Sequence, residues 1–198
     1  MPNQPTSHGP DDGLQLRACV SSDEPMILQI VNAAAEAYRG VIPADRWHDP
    51  YMPAAELSHE LAAGVVFTGC EARGQLVGIM GIQAVHNVSL IRHAYVLPSW
   101  QGRGVGGRLM SALLSTNDRP VLVGTWAAAE WAVRFYKRHD FATVPHRAIG
   151  PLLRCYWTVP DRQIDTSTVL ARPPLSEDAV RQLIAASVAD EAAIGGAD

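Results

Sequence analysis

Alternating apolar and polar positions predict strands in the first half of the chain. Residues 14–20, LQLRACV, alternate in this way and predict an opening strand. Two apolar segments within residues 65–85 flank Arg73-Gly74, a dipeptide typical of a turn, and therefore predict a hairpin. Residues 88–96, VSLIRHAYV, predict a further strand.

Apolar residues three and four positions apart predict helices around these strands. The first helix follows Ser21 and Ser22, either of which can cap it, and ends before Gly40. The helices predicted from this spacing cover residues 26–38, 54–64, the segment containing Leu109 to Leu114, and residues 127–139.

Short apolar runs in the second half of the chain predict buried strands. They cover residues 120–126, 141–144, 152–159 and 164–171. Hairpins come first along the chain and helical crossovers later, so the sheet has strands of both directions. The predicted fold class is α/β (α+β), with a single mixed, mostly antiparallel central sheet flanked by helices.

The pattern divides the chain into three parts. Residues 1–13 are polar and predict a mobile N-terminal tail, and residues 14–172 form the folded domain. After Pro173-Pro174, residues 173–198 predict an amphipathic helical extension that Ser176 caps. This helix docks either on the domain or on a second subunit, so a homodimer is one expected assembly.

Charge and composition limit the partners. Apolar residues make up 47% of the chain, and the net charge of −4 gives no positive field for nucleic acid or an acidic membrane. No apolar run approaches the ~20 residues of a membrane helix, and no signal peptide is recognised. Three separated cysteines without a CxxC motif favour a reducing compartment. We therefore expect a soluble, cytoplasmic protein without a nucleic-acid or membrane partner.

The seven histidines form no HxH or HExxH motif and no cluster with cysteine. We therefore expect no metal site.

The stretch HAYVLPSWQGRGVGGRLMSALL, residues 93–114, contains two glycine-rich patterns. Gly102, Gly104 and Gly107 form G-x-G-x-x-G, which is typical of dinucleotide binding. That motif requires a strand directly before it and an acidic residue about 20 positions later. Here five residues separate Val96 from the first glycine, and no carboxylate stands at the later position. A glycine-rich helix start without a ligand is a further interpretation.

Gln101, Gly104 and Gly106 form the second pattern, Q-x-x-G-x-G. Its glycines let the backbone approach a pyrophosphate, and the free N–H groups at the helix start point at the oxygens. The helix dipole adds positive potential there. Arg103 and Arg108 are candidates for further positive charge.

A strand ending in V-x-P, this loop and an amphipathic helix together resemble the acetyl-CoA-binding signature of the GNAT acyltransferase superfamily. The stretch WAVRFYKRHDF, residues 131–141, resembles the later A-x-x-F-Y-x-x-x-G-F element of that family. The order of elements matches over about residues 14–170. Two positions depart from the pattern. Asp140 replaces a glycine, which aspartate can imitate in left-handed backbone, and Ala129 replaces an asparagine that contacts the cofactor in many members.

The resemblance implies acetyl-CoA as co-substrate and direct attack by an amine, without an acyl-enzyme. It implies that backbone groups near Tyr95 and Val96 bind the pantetheine and that Tyr136 protonates the departing sulfur. A buried core aromatic is the alternative role for Tyr136. The cofactor-binding residues implied are Tyr95, Val96, Gln101, Gly102, Arg103, Gly104, Val105, Gly106, Arg108 and Tyr136.

The general base has several candidates. His93 titrates in the right range, although it can equally be a hydrogen-bonded sheet histidine. Strand alternation predicts that Arg92 and His93 lie on opposite faces. His86, Glu130 and a water relay are the other candidates.

The segment between the first two helices is the expected acceptor site by family analogy. Tyr38, Trp47 and Tyr51 stand there beside Asp45 and Asp49, a combination suited to a cationic amine, although such a loop can also simply cover the core. The predicted function is an N-acetyltransferase acting on a primary amine of a small molecule. A catalytically weak acyl-CoA-binding relative for sensing or assembly is the alternative, and a nicotinamide enzyme is a third interpretation.

Overall fold

A computed structural model describes residues 13–195, and within them seven strands form one sheet. The strands are β1 (Gln15–Ala18), β2 (Val66–Ala72), β3 (Gln75–Val85), β4 (Val88–Val96), β5 (Val121–Trp126), β6 (Ala142–Thr143) and β7 (Ser167–Arg172). Their spatial order is β1-β2-β3-β4-β5-β7-β6, and every neighbouring pair is antiparallel except the parallel pair β4 and β5. The predicted mixed, mostly antiparallel sheet is confirmed. The predicted tail, residues 1–13, lies outside the described residues apart from Gly13.

Helices flank the sheet. They are α1 (Glu24–Ala35), α2 (Ala54–Ala62), α3 (Val105–Ser115), α4 (Glu130–Lys137), α5 (His146–Tyr156), α6 (Asp161–Ile164) and α7 (Glu177–Gly195). Helix α1 packs its buried Ile27 and Ile30 against Phe67 of β2, whereas α3 packs Leu109 and Met110 into a separate buried cluster. Among residues 13–195, none of the helices is both long and apolar enough to cross a membrane.

The turn between β2 and β3 follows from its two residues. Arg73 and Gly74 both have positive φ, 52° and 76°, and Ala72 pairs with Gln75. Two consecutive positive φ values suit the right-handed twist of a two-residue hairpin, and glycine reduces their conformational cost. The predicted hairpin is confirmed.

One predicted strand is wrong. Residues 152–159 were predicted to form a buried strand, but Leu152 to Tyr156 form the second half of helix α5. The buried side chains are Ala148, Leu152, Leu153 and Tyr156, which lie at helical spacing once Ala148 is included. A window starting at Leu152 contains only the apolar cluster and misses this period.

The C-terminal helix α7 packs on the domain through α5. Ser176 Oγ accepts a hydrogen bond of 3.1 Å from the Ala179 amide, and Val180 is buried. Asn87 Nδ2 donates to the Leu183 carbonyl at 2.9 Å, which ties the helix to the turn between β3 and β4. The division of the chain at residues 172 and 173, and the homodimer, stay predictions.

Strand β4 has a bulge that alters which side chains face the site. Its register against β3 shifts between Ile79 and Gly81, and His93 has a positive φ of 50°. A Cβ at Gly81 would lie 2.9 Å from the Arg92 carbonyl oxygen, so the bulge requires glycine opposite it. The alternation of side chains along β4 is therefore broken at His93.

Strands β4 and β5 separate soon after they begin. They pair only at Ser89 with Val121 and at Leu90 with Leu122, although β5 continues to Trp126. The remainder of both strands diverges and opens a wedge in the sheet.

Candidate active site

The glycine-rich loop leads from the end of β4 into α3. The Gln101 side chain donates to the Val96 carbonyl at 3.1 Å and so ties the loop back to the strand. Gly102 and Gly104 both have positive φ, 75° and 82°, and Gly104 is the N-cap of α3. The first helical bond runs from the Arg108 amide to the Gly104 carbonyl at 3.0 Å. The amides of residues 105–107 therefore have no acceptor within the helix and are available to an anion.

Two glycines fix the position of this helix start. A Cβ at Gly78 would lie 2.7 Å from Val105 Cγ1, so glycine on β3 lets α3 approach the sheet. A Cβ at Gly106 would lie 3.1 Å from the Phe135 ring, so glycine also lets α4 cross close to α3. Gly106 thus makes room for a side chain of the protein as well as for a ligand.

A cavity of about 640 Å³ lies beside these free amides, and we name it the loop cavity. Its walls come from the end of α1 and the residues that follow it up to Tyr38, from β3 and β4, from the glycine-rich loop, and from α3 and α4. It includes most of the residues expected to bind the cofactor, namely Tyr95, Val96, Gln101, Gly102, Gly104, Val105, Gly106 and Tyr136. It is large enough for an extended organic ligand, because small-molecule sites typically span about 300–1,000 Å³.

The two arginines expected to add positive charge at the loop, Arg103 and Arg108, do not line the loop cavity. The Arg108 guanidinium instead donates to the Leu14 carbonyl at 3.4 Å. The Arg103 guanidinium lies 5.1 Å from the Trp100 ring centre. Arg138 and His139 line the loop cavity instead, and sequence reasoning missed both as site residues. Both residues could have been proposed from the sequence, because they follow Tyr136 within residues 131–141, the stretch that resembles the later family element.

Tyr136 is buried in α4, with a ring contact to Phe135 at 5.3 Å and another to Phe141 at 5.8 Å. Burial raises the pKa of its phenol above the usual value near 10, and the nearby Tyr38 adds to the shift. Tyr136 therefore stays protonated at neutral pH and can donate a proton into the loop cavity.

The two departures from the family pattern have local consequences. Asp140 has a φ of 65°, so aspartate does take the left-handed conformation expected at the glycine position. Ala129 is fully buried against Ile42 and Trp126 and contributes nothing to the loop cavity.

A second cavity of about 360 Å³ fills the wedge between β4 and β5, and we name it the wedge cavity. Ile91 and His93 line one side, and Gly124 and Trp126 line the other. The two cavities share Tyr38 and Tyr95. Burial raises the pKa of Tyr38 to about 12, so this tyrosine is neutral where the cavities meet.

The wall of the wedge cavity holds a buried charged cluster. Glu60 of α2 is only 9% exposed, and its Oε1 lies 2.6 Å from Arg92 Nη2. Its Oε2 lies 3.1 Å from His93 Nε2, in an arrangement that falls short of regular hydrogen-bond geometry. The expectation that Arg92 and His93 lie on opposite faces is wrong, because the bulge turns both toward one carboxylate. Sequence reasoning missed Glu60, which no local motif marks.

The other candidate bases lie elsewhere. His86 sits at the turn before β4, and Glu130 is exposed and pairs with Arg134 at 3.1 Å, and neither lines either cavity. Within the described part of the chain, no group of three or more His, Cys, Asp or Glu side chains could hold a metal ion.

The expected acceptor residues divide into two groups. Tyr38 and Tyr51 line the wedge cavity, whereas Trp47 does not line it and contacts Tyr51 with a tilted ring, 5.4 Å between ring centres. Asp45 and Asp49 pair with arginines on the surface and do not line the cavity. Its carboxylates come from Glu56 and Glu60 of α2, and its guanidinium groups come from Arg46 and Arg92.

Replacing Glu60 with glutamine is expected to destabilise the protein. Burial alone raises the pKa of Glu60, but His93 and Arg92 outweigh burial and hold the pKa below its usual 4.5. The stabilisation is therefore present above pH 4.5 and is lost as the pH falls through the lower folded-state pKa. We expect Glu60→Gln to cost about 3 kcal/mol at pH 7.

Urea unfolding at pH 7 and below pH 4.5 measures this effect. Glu56→Gln on the same helix is the matched control, because Glu56 is exposed and makes no ion pair among residues 13–195. The difference between the native chain and Glu60→Gln should shrink in acid, whereas the control stays near the native chain. Equal stability of both variants at pH 7 would show that the cluster contributes nothing.

Comparisons with known proteins agree with this geometry. Residues 32–149 match the family model described as an acetyltransferase (GNAT) domain. The chain is 33% identical to an aminoglycoside N(6')-acetyltransferase type 1 of Stenotrophomonas maltophilia, over 41% of this chain and 67% of that protein.

Solved structures share the fold at low sequence identity. PaiA N-acetyltransferase from Thermoplasma acidophilum, solved in complex with coenzyme A, superposes with a TM-score of 0.59 at 12% identity, covering 80% of this chain and 97% of that one. An acetyltransferase of the GNAT family from Staphylococcus aureus gives 0.60 at 15% identity, covering 80% and 98%.

Proposed function

Because the chain belongs to the GNAT acetyltransferase family, as the match over residues 32–149 shows, we propose that it moves an acetyl group from acetyl-CoA directly to a primary amine of a small molecule. One observation carries this proposal: the loop cavity and the wedge cavity meet at Tyr38 and Tyr95. Two cavities that meet let two substrates bring their reacting atoms together, so no acyl-enzyme is required. The name of the Stenotrophomonas relative, an aminoglycoside N-acetyltransferase, supports an amine acceptor.

The loop cavity is the proposed site of acetyl-CoA, which supplies an acetyl thioester. The amides of residues 105–107 bind the diphosphate, and the positive φ of Gly102 and Gly104 shapes the loop around it. Arg138 supplies positive charge from the cavity wall. Tyr95 and Val96 line the path from the loop to the wedge, where they hold the pantetheine.

Tyr136 is the proposed general acid. Its phenol is buried in the loop cavity and protonated at neutral pH, so it donates its proton as the sulfur leaves. A thiol has a lower pKa than this phenol. Transfer of the proton to the sulfur is therefore uphill on its own, and the proton that the acceptor ammonium gives up must return to Tyr136 to leave a free thiol and a neutral phenol.

The wedge cavity is the proposed acceptor site, with the Glu60–His93 pair as the base. His93 takes a proton from the acceptor ammonium, which frees the amine lone pair to attack, and the adjacent carboxylate stabilises the imidazolium that results. Tyr38 and Tyr51 line the same cavity and contact the acceptor there. Trp47, which does not line the wedge cavity, packs against Tyr51 and holds its ring in place.

Residues 14–172 are the proposed catalytic unit. Residues 173–198 are a proposed accessory segment, of which α7 covers α5.

Release of free thiol from acetyl-CoA across a panel of primary amines tests the proposed function. A control without acceptor corrects for the chain's own cysteines, Cys19, Cys70 and Cys155. We expect thiol release that depends on an amine, together with the acetylated amine by mass spectrometry.

Other outcomes of this experiment decide against the proposal. Tight coenzyme A binding without turnover on any amine would favour the catalytically weak acyl-CoA-binding relative. A thermal shift with NAD and none with coenzyme A would favour the nicotinamide interpretation.

A further inference from the structure

The wedge cavity contains equal numbers of positive and negative side chains. Arg46 and Arg92 carry guanidinium groups, and Glu56 and Glu60 carry carboxylates. Glu60 already pairs with Arg92 at 2.6 Å, so the buried carboxylate is neutralised by the protein itself. A cavity with this balance offers little to a ligand that carries several positive charges and none of the opposite sign.

Arg46 is the cation of the wedge cavity whose side chain makes no hydrogen bond within residues 13–195 and has only a long ion pair. Its Nε atom is buried and has no hydrogen-bond partner among residues 13–195. The nearest carboxylate, Asp45 Oδ2, lies 3.8 Å from this atom, beyond hydrogen-bond distance. The next residue, Trp47, also buries an Nε1 donor that lacks a partner within the described residues. Buried donors without acceptors are rare in folded proteins, and each costs free energy until an acceptor reaches it.

Asp45 is held away from Arg46 by a third residue. Its two carboxylate oxygens accept from Arg162, at 2.8 Å to Nε and 3.3 Å to Nη2. Arg162 belongs to α6, whereas Asp45 and Arg46 both belong to the short 3-10 helix Ala44–Arg46. Because Asp45 is paired with Arg162, the protein leaves the Arg46 guanidinium available to a ligand in the wedge cavity.

We propose that the acceptor carries an anionic group, a carboxylate in the simplest case, and that Arg46 binds this group while the amine lies toward Tyr95 and the Glu60–His93 pair. The inference rests on the proposed function, because it assigns the substrate class of that same site. The substrate is then a zwitterion such as an amino acid or a short peptide. The cavity volume of about 360 Å³ suits a molecule of this size.

The test compares each acceptor with a partner that lacks only the negative charge. Alanine, phenylalanine and lysine are assayed beside their primary amides, and kanamycin serves as an acceptor whose charges are all positive. The specificity constant kcat/KM is measured by thiol release, and the dissociation constant is measured by calorimetry with coenzyme A present. We expect the acid to be preferred at least about tenfold in one or more pairs. An amide neighbour makes the amine less basic and more reactive at neutral pH, so this preference would run against intrinsic chemistry.

Arg46→Met removes the guanidinium and keeps a similar stem. We expect it to lower kcat/KM and weaken binding of the preferred acid about 10- to 100-fold, while the matching amide changes by less than about twofold. Arg154→Met is the control, because Arg154 has one exposed ion pair, with Asp161, and lines neither cavity. Arg46→Lys should restore part of the preference, since it restores the charge without the two-pronged geometry.

The outcomes separate this inference from the function on which it rests. If amides or kanamycin are acetylated as well as every acid, and Arg46→Met leaves all of them unchanged, acetyl transfer stands and the anionic acceptor is wrong. If no amine is acetylated and coenzyme A does not bind, the proposed function fails. If no amine is acetylated but coenzyme A binds, the inference is tested by the dissociation constants of each acid and its amide. Equal binding of acid and amide in every pair overturns the inference.

Discussion

Replacing Gly104 with valine is expected to weaken coenzyme A binding by at least about 100-fold, or roughly 2.7 kcal/mol. Two physical effects act at this position. Gly104 caps α3 with a φ of 82°, a left-handed conformation that costs an L-residue about 1–2 kcal/mol and is especially unfavourable for a branched side chain. Apart from its two chain neighbours, no atom of residues 13–195 lies within 4 Å of the position its Cβ would take. The valine would therefore occupy ligand space in the loop cavity.

The matched control for this variant is Gly64→Val. Gly64 has a φ of 90°, its Cβ position is equally open, and it lines neither cavity. Both variants should lose similar stability in thermal unfolding, and only Gly104→Val should lose coenzyme A in calorimetry. Native affinity in Gly104→Val would refute the loop as the diphosphate site. Gly106→Val is a poorer test, because its side chain would meet Phe135 even without ligand.

Replacing Tyr136 with phenylalanine is expected to lower kcat about 100-fold or more while coenzyme A affinity changes less than about twofold. The ring stays packed against Phe135 and Phe141, so only the hydroxyl is lost. No hydrogen bond to this hydroxyl is found within residues 13–195, so its removal leaves no partner unsatisfied. The variant therefore separates proton donation from packing.

The pH profile provides a second measure of the same role. The pKa of Tyr136 is raised, so the phenol remains protonated above pH 10 and activity should not decline through its titration between pH 7 and 10. Tyr156→Phe is the control, because Tyr156 is also buried but donates to Asn87 Oδ1 at 2.8 Å, away from both cavities. That variant should lose about 1 kcal/mol of stability and retain turnover. An unchanged kcat in Tyr136→Phe would remove the phenol from the reaction.

Local features of the site were predictable from the sequence because they depend on neighbouring residues. The loop geometry follows from Gly102 and Gly104, which take positive φ, and Asp140 takes the left-handed conformation expected of it. Tyr136 was singled out because residues 131–141 resemble the later element of the family, which is a local motif of consecutive residues.

Contacts between distant segments were not predictable in the same way. Glu60 lies 33 positions before His93, and their approach to 3.1 Å depends on how α2 packs beside β4. The face of His93 was mispredicted because strict alternation holds only in a regular strand, and β4 bulges at that residue. Arg103 in the loop and Arg108 in the first turn of α3 contact Trp100 and the Leu14 carbonyl instead of lining the cavity.

By itself, the sequence determined the mixed sheet, the hairpin at Arg73-Gly74 and the glycine-rich start of α3, because periodicity and glycine conformation are properties of a few consecutive residues. Only the tertiary structure decided that the chain has a wedge between β4 and β5, that two cavities meet at Tyr38 and Tyr95, and that the buried Nε of Arg46 has no hydrogen-bond partner among residues 13–195. These features depend on strand register and on how helices pack between segments that are far apart in the sequence. The distance between two such residues is set by the free energy of many contacts together and not by the conformational preference of any one residue.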